Sequence, residues 1–303
     1  MAFEVTVLGS SSATATPERA HSSQLLQVQD HYLLIDCGEG TQIQLKRFGI
    51  KFSKISHIFI SHLHGDHFLG LVGLLSTFHL NGRKDPVYLF GPPGLMDIIV
   101  VQFKFSDTRL CYPLIFNATS TAEGLTILAD EKKFSVFSFP MKHRIHCTGF
   151  LVQEKPKQRK VIAEKVIGLK PYQLSMLKKG LDIVEEDGKT ILKNSDFTTA
   201  PPVSKSFAYC SDTIFDPSLS EYVKNVDLLY HETTFLEEHK KRASETFHST
   251  AKQAAQIASS AGVKQLLIGH FSPRYGDLSQ FLHESKAVFS NVFLARDGEK
   301  YVL

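Results

Sequence analysis

The sequence predicts an α/β protein, a sheet covered by helices, on three observations. Short runs rich in β-branched and aromatic residues recur between turn signals. Helical stretches alternate with them. Residues 227–270 read strand, helix, strand, the pattern of a βαβ unit. Taken in order, FEVTVLG, SQLLQVQ and HYLLIDCG are consecutive strands, and TQIQLKRFG is a short helix after them. HIFISH is a buried strand, and FLGLVGLLSTFHLNG is a largely apolar helix with Gly82 near its end. VYLFGPP is another strand, followed by the helix GLMDIIVVQFKF. The second part repeats this vocabulary, with strands in KFSVFSFPMKH, CTGFLVQE, SFAYCSD, VDLLYHE, KQLLIGH and VFLARDG. HSTAKQAAQIASSAGV is a helix in which Ser249 or Thr250 can cap, Thr250 and Gln253 fit a capping box, and Gly262 ends the element.

The bulk properties are those of an ordinary globular chain. It has 303 residues, enough for a large core, and is 43% hydrophobic and 21% charged. The start, MAFEVTVLGSSS, lacks a basic region followed by an apolar one, so no signal peptide is expected. No apolar run approaches the roughly 20 residues needed to span a bilayer, so no membrane partner is expected. Cys37, Cys111, Cys147 and Cys210 are widely spaced without a CxxC pair, as reduced thiols of a cytoplasmic protein would be. The net charge of +3 does not by itself argue for nucleic acid. From about Glu154 to Pro202 the chain is lysine-rich with scattered apolar residues. This segment reads either as an insertion projecting from the body or as a solvated surface connection.

Fourteen histidines are the unusual feature. SHLHGDHFLG places His62, His64, Asp66 and His67 within six positions, after the apolar HIFI. A strand ending at His62 and a turn through Gly65 would gather these side chains at a sheet edge. Imidazole and carboxylate suit zinc, and four such groups exceed the three protein ligands of a typical mononuclear catalytic site. The cluster therefore asks for two metals. His143, Asp212 and His270 each follow an apolar run, where α/β proteins gather their sites. A carboxylate such as Asp212 can bridge ions about 3.5–4 Å apart. Any one of these three alone is as well explained as an ordinary strand-end residue; the HxHxDH cluster is what makes them ligands.

HxHxDH after a strand, with a distant histidine, aspartate and histidine, resembles the metallo-β-lactamase superfamily. That likeness implies a four-layer αβ/βα sandwich with a binuclear site between the sheets. LGSSSATATPERAHSSQLL, LLIDCGEGTQIQL, HETTF, HST at His248–Thr250 and HFSPRY at His270–Tyr275 are similar to motifs of the tRNase Z family, tRNA 3′-processing endoribonucleases, in its short form. The likeness covers essentially the whole chain. It implies a single domain over 1–303 with a tRNA-binding arm inserted at about 154–202. It assigns His62, His64 and His143 to one zinc ion and Asp66, His67 and His270 to a second, with Asp212 bridging both. His146 falls outside the pattern. The chain departs from the family at Ser211, usually glycine, at PKQRK, a partial match to a Pro-x-Lys-x-Arg-Asn loop, and in lacking the arm's Gly-Pro pair.

Hydrolysis of an RNA phosphodiester needs a nucleophile at neutral pH, charge stabilisation and a proton for the leaving oxygen. A zinc pair supplies the first two. Asp66 would orient the water, and His248, expected to be exposed before its helix and held by Glu232, would be the general acid. His231 reads as either a supporting residue or a strand end. RNA would be held by its phosphates, through Lys155, Lys157, Arg159, Lys160, Lys178, Lys179, Lys240, Lys241, Arg242 and Arg274. The resemblance further implies a homodimer acting on precursor tRNA. The competing reading is a phosphodiesterase or arylsulfatase-like hydrolase of small molecules, which would keep the ligands and have no use for the insertion.

Overall fold

The computed structural model of the chain describes residues 3–184, 188 and 191–303. β1 (Phe3–Gly9), β2 (Ser23–Val28), β3 (His31–Ile35), β4 (Ile55–Phe59), β5 (Val87–Gly91) and β6 (Leu114–Ala118) form most of one sheet. β7 (Thr126–Asp130), β8 (Phe134–Pro140) and β9 (Thr148–Glu154) begin a second. Four two-residue strands follow: β10 (Lys160–Val161), β11 (Ile183–Val184), β12 (Ile191–Leu192) and β13 (Thr198–Thr199). β14 (Ser206–Cys210), β15 (Leu228–Glu232), β16 (Gln265–Gly269) and β17 (Val292–Leu294) complete the second sheet, and β18 (Lys300–Val302) returns to the first.

The strand orders are β18-β1-β2-β3-β4-β5-β6 and β17-β16-β15-β14-β9-β8-β7. Each sheet carries one parallel run, β3 to β6 and β14 to β17, while β1 pairs antiparallel with β18 and β2, β2 with β3, β9 with β14 and β7 with β8. Between the sheets lies a core that includes Val7, Ile35, Phe59, Phe90, Phe150, Phe207, Tyr209 and Tyr230. The outer face of the first sheet packs Leu34, Ile58 and Ile60 against Leu71, Leu74, Leu75 and Phe78 of the helix Leu71–Leu80 and against Leu95, Ile99 and Phe103 of the helix Leu95–Phe105. The second sheet packs Leu151, Ala208, Leu229 and Ile268 against the alanine-lined face of Ala251–Ala261 and against Phe281. The result is helix, sheet, sheet, helix: four layers, each sheet buried on both faces.

The chain divides into two compact units, Met1–Gln153 with Lys205–Leu303, and Glu154–Ser204. Within the smaller unit, β10 pairs with β13 and β11 with β12. The helix Pro171–Lys178 buries Gln173 and Leu177 there, beside buried Ile183, Asn194 and Thr198.

The structure corrects two expectations around HxHxDH. The strand ends at Phe59 rather than His62, because the Ser61 amide donates to the Asp36 carboxylate (2.8 Å) instead of continuing the ladder. Gly65 opens a four-residue helix, Gly65–Phe68, rather than a simple turn. That helix lies directly on the β3 exit: Cys37 N–H donates to the His67 carbonyl (2.7 Å) and Gly70 N–H to that of Cys37 (2.9 Å). A Cβ on Gly38 would stand 2.3 Å from the Asp66 carbonyl, so this approach needs glycine. None of the described helices is long and apolar enough to cross a membrane.

Candidate active site

The ligand-grade residues leave the C-terminal ends of strands from both sheets. Asp36 follows β3, and the HxHxDH loop follows β4. His143 lies beyond β8, Asp212 beyond β14 and His270 directly after β16, while Glu232 ends β15. Asp36 (φ 56°) and His270 (φ 62°) hold left-handed backbone that non-glycine residues adopt only at a cost, a pattern concentrated at functional sites.

These side chains form two clusters. His62, His64, His143 and Asp212 offer one atom each within 4.8 Å of one another, as do Asp66, His67 and His270. In the first, His64 Nδ1 stands 3.0 Å from His62 Nε2 and 3.1 Å from His143 Nε2, and Asp212 Oδ2 is 3.5 Å from His62 Nε2 and 3.9 Å from His143 Nε2. In the second, His67 Nε2, His270 Nε2 and Asp66 Oδ2 are mutually 3.2 Å apart. Asp212 Oδ1 faces this cluster, 3.5 Å from His67 Nε2 and 3.3 Å from His270 Nε2. One carboxylate thus turns one oxygen to each cluster. Atoms bound to zinc at about 2.0–2.2 Å are roughly 3.3–3.6 Å apart around a tetrahedron, a range that the observed spacings of 3.0 to 3.9 Å bracket.

The supporting hydrogen bonds test that fit. His67 Nδ1–H donates to Asp36 Oδ2 (2.8 Å), and His143 Nδ1–H donates to the Phe247 carbonyl (3.0 Å). Thr234 donates to Glu232 Oε2 (2.8 Å) and so accepts from His270 Nδ1–H (2.9 Å). Each ring is thereby turned with Nε2 into its cluster, the arrangement by which protein metal sites fix histidine ligands. Only acceptors then face one another unless a cation sits among them. Asp212 Oδ1, buried, has no hydrogen-bond partner among the described residues. Burial would lower the His67 pKa, yet Asp66, Asp212 and Asp36 outweigh it and hold the ring well above its ordinary value. The site demands positive charge at that point. His62, by contrast, is pushed down to about 4 by burial and the neighbouring His67. Its ring is therefore neutral, the form in which an imidazole can offer a lone pair to a metal.

Glu232 is buried and receives Ser249 N–H (2.7 Å), Thr234 N–H (2.9 Å) and His248 Nδ1 (3.2 Å). His248 is not exposed as the sequence suggested: only 16% of its side chain is accessible. Its amide donates to the Ala243 carbonyl (2.8 Å), which turns the ring inward to Glu232. Burial opposes its charge, but Glu232 and Asp212 prevail and push its pKa up to about 9.

A cleft of about 570 Å³ opens over the clusters, lined by His64, Asp66, Asp212, His248 and His270 and by Arg144, Arg242 and Arg274. Arg274 lies over the Phe235 ring at 5.1 Å. Arg144 escaped the sequence reading, as did the supports Asp36, Ser61, Tyr209 and Thr234. Lys157 pairs with Glu154 (2.7 Å) and Arg159 donates to Thr198 (2.7 Å), both inside the smaller unit. His146 bonds Thr119 (3.1 Å), outside the clusters. His231 Nδ1 donates to the Glu232 carbonyl (2.7 Å), and the ring is buried. All four cysteines are free.

Two seven-stranded sheets between helices, with a histidine and aspartate site at their strand ends, define a protein of the metallo-β-lactamase fold. The metallo-β-lactamase fold protein YhfI of Bacillus subtilis is similar to this chain at TM-score 0.70 and 20% identity, covering 99% of each chain. Human tRNase Z, short form, is similar at TM-score 0.72 and 28% identity, covering 98% of each. The ribonuclease Z of Cytophaga hutchinsonii is 47% identical over 302 residues, 99% of this chain and 96% of that one. The chain belongs to the ribonuclease Z family. A family model described as Anti-Pycsar protein Apyc1 also matches residues 3–100.

Proposed function

We propose that this protein is a metal-dependent endoribonuclease that removes 3′ trailers from precursor tRNA, with two zinc ions per chain, as a cytoplasmic homodimer. The observation that best supports this is Asp212, one oxygen on each of two histidine clusters at the floor of a cleft bordered by three arginines, in a ribonuclease Z chain. His62, His64 and His143 would hold one ion, Asp66, His67 and His270 the other, and Asp212 both. When bound, the pair supplies Lewis acidity at the scissile phosphate and acidifies water at neutral pH.

The chain's own residues do the rest. Asp66 orients the attacking water. His248, protonated and held by Glu232, gives its proton to the leaving 3′ oxygen as the phosphorus–oxygen bond breaks. The tRNA keeps a 3′-hydroxyl and the trailer carries a 5′-phosphate. Arg274 meets phosphate at the cleft. The unit Glu154–Ser204, with Lys157 and Arg159, serves as the tRNA-binding arm, holding backbone phosphates.

The test uses zinc-loaded protein on a 3′-extended precursor tRNA, with the Asp212→Ala variant alongside and product ends mapped to the nucleotide. One cut leaving a 3′-hydroxyl, absent in the variant, is expected. Hydrolysis of bis(p-nitrophenyl) phosphate without tRNA cleavage would instead favour a small-molecule phosphodiesterase.

A further inference from the structure

Ser61 sits at the centre of the buried network. Its Oγ lies 2.9 Å from Asp36 Oδ2, 3.0 Å from His62 Nδ1 and 2.9 Å from Ser211 Oγ. A hydroxyl has one proton and two lone pairs, so three partners saturate it. The Asp36 carboxylate can only accept, and it already receives Tyr209 O–H (2.7 Å), His67 Nδ1–H (2.8 Å) and Ser61 N–H (2.8 Å). The single Ser61 proton therefore goes to Asp36, and both His62 and Ser211 must donate to Ser61. This fixes the proton of His62 on Nδ1 and turns the Nε2 lone pair into its cluster. A continuous relay follows: His62 Nδ1–H to Ser61, Ser61 to Asp36, and His67 Nδ1–H to Asp36 from the other cluster. Ser211 reaches Ser61 from the opposite sheet and directly precedes Asp212, so its hydroxyl joins the two sheets where the clusters meet. Every member is buried, at 1% exposure or less.

We propose that Ser61 and Ser211 form a positioning hub, in which Ser61 sets the His62 tautomer and Ser211 locks Ser61 in place, so that the pair tunes metal affinity at the His62 cluster. The affinity argument rests on the two-metal reading; the tautomer argument does not.

Two measurements on the full-length protein test it. In metal-free, 15N-histidine-labelled protein at pH 8, nitrogen shifts should show His62 protonated at Nδ1, and Ser61→Ala should move the proton toward Nε2. In zinc titrations against a chromophoric chelator, Ser61→Ala should weaken one of two binding steps by about 10–100-fold. Ser211→Gly, which adds no bulk, should weaken the same step by about 3–10-fold. That step is the one lost in His143→Ala. An unchanged His62 tautomer in Ser61→Ala overturns the hub, and so do wild-type affinities at both steps in both variants. If Ser61→Ala misfolds by circular dichroism, Ser211→Gly decides on affinity alone. A wild-type protein that takes up no zinc sinks the two-metal reading, and the tautomer measurement then decides the hub.

Discussion

At the scale of single residues, Glu232 does two jobs with one carboxylate. Oε1 holds His248, and Oε2, through Thr234, orients His270 of the second cluster. Burial alone would keep Glu232 from ionising, but His248 and His270 lower its pKa below the usual range. The reverse effect raises His248 to about 9. A general acid works in its protonated form, so turnover limited by proton donation should hold below that pKa and fall as pH rises through it. Glu232→Gln keeps the shape and removes the charge. Its pH–rate profile on precursor tRNA should lose its alkaline limb at lower pH than the wild type. His248→Ala should cut kcat by about 10²–10⁴ with metal content unchanged; loss of metal in that variant would make the residue structural instead. The seven residues of the two clusters were legible in the sequence as proposed ligands because four of them crowd into six positions and the family motifs carry the other three. Asp36 and Thr234 were not legible as supports. Their partners lie 31 and 36 residues away, and a lone aspartate after a strand says nothing of which ring it will hold.

At the scale of elements, local signals were read correctly and distant ones were not. The helix Ala251–Ala261 forms as the sequence indicates: Gln253 N–H donates to Thr250 Oγ1 (3.3 Å), Thr250 N–H to Gln253 Oε1 (2.9 Å), and Gly262 ends it in left-handed backbone at φ 64°. Thr250 also donates to Glu237 (2.9 Å). The end of β4 is set at a distance: Asp36, just beyond β3, captures the Ser61 amide. β6, β7 and β18 went unread: they lie at sheet edges, and their half-exposed residues lack a clear alternation. The capping box begins two residues after His248, which links helix stability to the proposed general acid. Thr250→Ala should cost about 1–2 kcal/mol in urea unfolding, through the lost cap and the Glu237 bond. Its loss in kcat should be smaller than that of His248→Ala, since a frayed first turn loosens the ring without removing it. A Thr250→Ala protein as stable as the wild type would show that tertiary packing alone holds this turn.

At the scale of the whole molecule, the division of the chain into two units would separate the proposed chemistry from the proposed recognition. All the residues of both ligand clusters, with His248 and Glu232, belong to the larger unit. Gln153 and Ser206, which flank the smaller unit, are cross-strand partners in the β9–β14 ladder. Antiparallel neighbours can be joined by a two-residue turn, so residues 154–205 can be replaced by Asn-Gly without separating the strands. Such a variant should fold, bind metal as the wild type does and hydrolyse bis(p-nitrophenyl) phosphate at an unchanged rate. Its kcat/KM on precursor tRNA should fall by at least about tenfold, and binding should depend less steeply on salt, because the lost lysines and arginines release fewer counterions. Undiminished tRNA cleavage would mean that the cleft arginines Arg144, Arg242 and Arg274 suffice for RNA, and that Glu154–Ser204 serves something other than substrate. Equal loss on both substrates would mean that the smaller unit supports the catalytic site itself.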